Sequence, residues 1–155
     1  MKFLNKVVSL SMLSAAALLA SSAHAQVTVK DPWVRATVPA AKASGAFMLV
    51  QSAQDARLVE VRSPVAGMVE IHQMSMDNGM MKMSAVDGID LPAGKPVALA
   101  SGGYHVMLMQ LKQQMKEGDT VPLTLVVQKK DKKLETVEVK ALVKPLNYVP
   151  AKESK

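Results

Sequence analysis

Two histidines and an unusual run of methionines are the residues here that could do chemistry. His72-Gln73-Met74-Ser75-Met76-Asp77-Asn78-Gly79-Met80-Met81-Lys82-Met83 sets one histidine and five methionines around an Asp-Asn-Gly turn. Farther on, Gly102-Gly103-Tyr104-His105-Val106-Met107-Leu108-Met109 repeats the pairing of imidazole with thioether. Those two donor types together favour a soft ion of low charge, and among biological metals that is Cu(I). Neither donor loses a proton when it binds at neutral pH, and thioethers survive an oxidising compartment, sulfoxide formation aside. The competing reading is packing, because methionine is the most adaptable filler of an apolar core and a lone histidine often serves a structural hydrogen bond.

Strand geometry decides which of these residues can meet. Side chains alternate faces along a strand, so His105, Met107 and Met109 share one side while Tyr104, Val106 and Leu108 share the other. With Asn78 and Gly79 as the centre of a type I′ turn, Asp77 pairs with Met80, Met76 with Met81, and Met74 with Met83. His72 then lies diagonal to Met83, about 7–8 Å away between backbones, within reach of two long side chains that converge on one ion, and the register singles out Met83 and Met74 as its partners. On spacing alone the ligand reading and the packing reading of His72, Met83, His105 and Met107 both stay open. Met48, Met68 and Met115 are assigned to packing or surface. Met76, Met80, Met81 and Met109 are placed at most in capture or transfer of a metal.

The elements that would position these residues read as short strands. Val27 to Val29 and Trp33 to Thr37, broken by Asp31-Pro32, are followed by Ala46 to Gln51, Leu58 to Val61, Met68 to Met76 and Met80 to Val86. Beyond the turn-rich Leu91 to Pro96 come Val97 to Leu99, Tyr104 to Leu111, Val121 to Gln128 and Leu134 to Val143. A helical turn or two is allowed only over Leu108 to Lys116. About eight or nine short strands, with turns every 8–12 residues, give an all-β Greek-key sandwich or barrel.

The first 25 residues carry Lys2 and Lys6, an apolar run and a terminal Ala23-His24-Ala25. They read as a cleaved signal peptide of an exported, periplasmic protein without stable membrane insertion. His24 would leave with it. Residues 26–143 are then one domain and 144–155 a polar, loosely ordered tail. Losing Lys2 and Lys6 takes the net charge from +6 to +4. The excess gathers in Lys129, Lys130, Lys132 and Lys133 around Asp131, which reads as a solvated turn. A nucleic-acid partner is not expected of an exported chain with one interspersed basic cluster and few aromatics. There is no cysteine. This removes disulfides, thiolate catalysis, cysteine zinc sites and blue copper, and it leaves no residue for lipid attachment at the cleavage site. An enzyme is not expected, since serine triads would have no base beyond the two histidines.

His72, ten residues, Met83, twenty-one residues, His105, one residue, Met107 reproduces the H-x10-M-x21-H-x-M pattern. With Val69-Glu70-Ile71-His72, Gly79 to Met83, Leu91-Pro92-Ala93-Gly94, Gly102 to Leu108 and Asp31 to Thr37, the chain resembles the PCuAC family of periplasmic copper chaperones over nearly all of residues 26–155. The resemblance implies a cupredoxin-like sandwich that binds one Cu(I) through His72, Met83, His105 and Met107; the chain is expected to be a monomer. It also implies delivery to a copper-accepting protein of cytochrome c oxidase assembly. Some family members add a histidine- and methionine-rich tail, but Lys144 to Lys155 contains neither residue. Besides delivery, a copper buffer for tolerance and a structural sandwich with core methionines are the readings carried forward.

Overall fold

The computed structural model describes residues 26–151, so the signal peptide expected over 1–25 lies outside the described residues. Ten strands follow in chain order. They are β1 (Val27–Arg35), β2 (Ala43–Ser52), β3 (Ala56–Arg62), β4 (Ala66–Asp77), β5 (Met80–Ala85), β6 (Ile89–Leu91), β7 (Pro96–Leu99), β8 (Tyr104–Leu111), β9 (Thr120–Lys129) and β10 (Leu134–Lys144). No helix occurs among the described residues, as an all-β fold requires. They form one hydrogen-bonded sheet in the order β5-β4-β8-β7-β2-β1-β10-β9-β3-β6, with β8 also pairing β2.

The sheet folds over on itself because each strand offers one apolar face that must leave water. Val34, Ala46, Met48, Val50, Ile71, Val106 and Leu108 from one half meet Leu58, Val61, Leu123, Leu125, Val127, Ala141 and Val143 from the other in a single buried cluster. In β9 the period-2 pattern is plain, with Val121, Leu123, Leu125 and Val127 all buried. At roughly 1.5–3 kcal/mol for each fully buried aliphatic side chain, this cluster is the main stabilising term.

Four details depart from expectation. The strand total is ten because the three residues of β6, paired with β3, are too short to announce themselves in the sequence. The Asp31-Pro32 break is instead a bulge within one continuous β1, with Asp31 at φ 48° and the register shifting between Lys30 and Trp33. After β8 there is no helical turn: the backbone N–H and C=O of Met115 bond to Thr37 rather than to helical neighbours. The tail is not loose over its described part. Lys144 ends β10, and Tyr148 packs edge-on against Trp33 at 4.9 Å between ring centroids.

Candidate metal centre

Asn78 and Gly79 both have positive φ, 49° and 79°, the requirement of a type I′ turn. The β4–β5 register is the one that turn dictates: Asp77 opposite Met80, Met76 opposite Met81, Met74 opposite Met83, and His72 opposite Ala85. Met83 is therefore the diagonal neighbour of His72. On the other side of β4, the pairing with β8 sets His72 directly opposite His105 and Glu70 opposite Met107. Val106 and Leu108 point into the core, which turns His105, Met107 and Met109 to the outer face of the sheet.

On that outer face the two imidazoles lie 5.9 Å apart between centroids, at 62° to one another. His105 Nε2 is 3.2 Å from the Met83 sulfur. Its other nitrogen, Nδ1, lies 3.3 Å from the carbonyl of Gly103; carbonyl and thioether both only accept, and the carbonyl is the stronger acceptor, so the tautomer assigned carries the proton on Nδ1 and the lone pair on Nε2. The His72 Nε2–H donates to Glu70 Oε2 at 2.7 Å. That leaves Nδ1 of His72 as a buried nitrogen with no partner, a lone pair desolvated and unused. Both histidines are almost wholly buried, 8% and 6% exposed, whereas Met83 is 49% exposed.

A nitrogen lone pair set against a thioether sulfur, beside a second free imidazole nitrogen, repels rather than binds unless something electron-poor lies between them. A soft cation answers that arrangement. Met107 is half-buried two residues from His105, opposite Glu70 on one flank and Gly45 on the other. Among the described residues no group of three or more His, Cys, Asp or Glu converges, so no harder, oxygen-rich site competes. A carboxylate bound to the far nitrogen of a ligand histidine is the usual outer partner that fixes ring orientation and tautomer.

Sequence reasoning passed over the supports of this face. Glu70 is two residues from His72 on the same side of β4, and period-2 spacing could have revealed it. Phe47 lies 6.3 Å from His105 and stacks on Trp33 at 4.5 Å. A Cβ on Gly45, the backbone partner of Met107, would come within 2.8 Å of the Phe47 ring, so glycine leaves the space that the ring occupies. Arg35, left without a role above, sits over both Trp33 and Phe47 and donates to the Leu146 carbonyl at 2.8 Å. Gln73, Ser75 and Met80 belong to the opposite side of the hairpin, where Lys82 pairs with Asp77 at 2.8 Å.

The family model described as "Putative lipoprotein LpqE-like" matches residues 27–141. The Leifsonia xyli protein Lxx21020 is 32% identical over 100 residues, 64% of this chain and 60% of that protein, so less than two thirds of that relative is spanned. The solution structure of Cu(I)-bound DR1885 from Deinococcus radiodurans is 33% identical, with a TM-score of 0.57 over 83% of this chain and 85% of that one. The copper-bound PCuAC domain from PmoF2 is 25% identical, with a TM-score of 0.62 over 78% of this chain and 94% of that one.

Proposed function

The chain belongs to the LpqE-like family, and from that premise we propose that it is a non-enzymatic carrier of one Cu(I) ion. The ion is its cargo, held by His72, Met83, His105 and Met107. The observation that carries this reading is the 3.2 Å approach of His105 Nε2 to the Met83 sulfur beside the buried, unpartnered Nδ1 of His72. With metal–nitrogen and metal–sulfur bonds of about 2.0 and 2.3 Å, that separation is short enough for both donors to reach one shared ion. The copper-bound relatives support the same cargo.

Neutral donors hold copper less tenaciously than thiolates, and half-exposed Met83 leaves the ion open to an incoming ligand on the edge strand β5. Both features suit handing the ion on. The acceptor proposed is a copper-accepting protein of cytochrome c oxidase assembly, and the compartment is the periplasm. The packing reading of the methionines fares worse at Met83, whose exposure leaves it little apolar surface to fill.

The experiment is a chromophoric-chelator competition for Cu(I) on the chain from residue 26, in the native form and as the Met83→Leu, Met107→Leu variant. One tightly held equivalent, weakened at least tenfold by the double substitution, is expected. Equal affinity in both forms would refute the ligand set. Deleting the gene then separates delivery, which lowers copper loading of the oxidase, from buffering, which raises copper sensitivity alone.

A further inference from the structure

The hairpin of β4 and β5 continues past the core. Ile71 is the last residue of β4 in the buried cluster, and all six residues of β5 are exposed. Its two faces differ. One carries Gln73, Ser75, Asp77, Met80, Lys82 and Ser84, held by the Asp77–Lys82 ion pair. The other, continuous with the His72–His105 face, presents Met74 opposite Met83 and Met76 opposite Met81. In a hairpin closed by a two-residue turn, the pair next to the turn is hydrogen-bonded and the pairs alternate from there. Both methionine pairs consequently fall at non-hydrogen-bonded positions, where facing Cα atoms are about 4.5 Å apart and side chains meet most closely.

Four thioethers therefore stand as two adjacent rungs, and Met83 belongs both to this ladder and to the histidine site. Packing does not explain them, since Met76 is 69% and Met81 53% exposed. Strand preference does not either: solvent-side or core-side, strands favour β-branched residues, and β9 of this chain uses Val and Leu at its buried positions. Methionine at every one of these four positions selects for sulfur.

We infer that Met74, Met76 and Met81 form a second, all-thioether Cu(I) site, which takes up or releases the ion at the hairpin tip and exchanges it with the histidine site through the shared ligand Met83. The site rests on the Cu(I) reading given above. Movement inward is ligand exchange alone: bonds from copper to the Met74, Met76 and Met81 sulfurs break as bonds to His105 Nε2, His72 Nδ1 and the Met107 sulfur form, while the bond to Met83 is kept. Copper stays Cu(I) throughout, and no proton or electron moves. Three neutral sulfurs, two of them on exposed residues, bind more loosely than a buried imidazole pair, so the ion runs inward at equilibrium and the outer site fills second.

Stepwise Cu(I) titration of the chain from residue 26, followed through assigned methionine methyl and imidazole signals, tests this. The first equivalent is expected to shift His72, His105, Met83 and Met107. The second is expected to shift Met74, Met76 and Met81 while Met80, as exposed as any of them at 71% but on the polar face, stays put. A Met74→Leu, Met76→Leu, Met81→Leu variant keeps the first equivalent and loses the second. Its changes lie outside the core, and unchanged core methyl signals show that it folds. A second equivalent that leaves the three methyls unmoved, or moves Met80 equally, overturns the second site and leaves the histidine site standing. A first equivalent that goes to the hairpin methyls and not to the histidines overturns the ligand set of the carrier instead.

Discussion

Glu70 offers the sharpest lever on the histidine site, because it touches the metal only through His72. Its carboxylate accepts the Nε2–H of His72 at 2.7 Å and so commits Nδ1 to be the free lone pair. A hydrogen bond to a charged acceptor contributes about 1.5–3 kcal/mol. The Glu70 side chain is 38% exposed, so solvent screening puts the effect near the lower end, about 1.5 kcal/mol. With about 1.4 kcal/mol per factor of ten, Glu70→Ala weakens Cu(I) binding by about tenfold, at the low end of the range for outer-sphere partners of ligand histidines. Glu70→Gln, which keeps an acceptor without the charge, falls between. Chelator competition measures the affinity, and nitrogen-detected imidazole spectra report the tautomer: His72 is expected as the Nε2–H form in the native protein and as a mixture in Glu70→Ala. Affinity within twofold of native, with the tautomer unchanged, would refute the reasoning.

Three further outcomes follow from the supports of the fold. Gly45→Ala drives a Cβ into the Phe47 ring at 2.8 Å and should lower stability by about 1–3 kcal/mol, read from the urea midpoint. Tyr148→Ala removes the edge-on contact with Trp33, worth about 0.5–1.5 kcal/mol beyond area burial; Trp33 is the one tryptophan, so a red shift of its emission reports the loss. Asp55, through the backbone N–H of Ala93 and then Lys130, and Glu60, through Arg62, are held below their ordinary values of 3.8 and 4.5. Their contribution is present above those values and disappears as pH falls through the lower folded ones. Asp55→Asn with Glu60→Gln should thus lower stability modestly at neutral pH, leave it unchanged where both carboxyls are already protonated, and so flatten the acid limb of stability against pH.

The hairpin register was legible in the sequence because Asn-Gly fixes both turn type and pairing, and every partner from Asp77–Met80 to Met74–Met83 stands where that turn places it. The face of β8 was legible for the same reason of strict alternation between core Val106 and Leu108 and outer His105 and Met107. What stayed hidden depends on contacts remote in the chain. The direct opposition of His72 and His105 is a β4–β8 register, set by how two halves of the core pack rather than by any local signal. Strand β1 lies parallel to β10, which brings Tyr148 back against Trp33 and turns an apparently loose tail into a cover for that ring. Gly45 stood outside the strand read from Ala46 to Gln51, and no local signal shows that the Phe47 ring lies where its side chain would be. Met115, surrounded by lysines and glutamines, hints at a helical turn by local pattern, but the paired bonds to Thr37 hold it in a buried, non-helical segment.

The most direct measurement is one equivalent of Cu(I) added to the chain from residue 26, with the His72 and His105 imidazole nitrogens and the Met83 and Met107 methyls observed together. All four sets of signals are expected to move in concert to a single bound position, with Nδ1 of His72 and Nε2 of His105 showing the largest changes. One equivalent bound while neither His72 nor Met83 responds would contradict the histidine–methionine site.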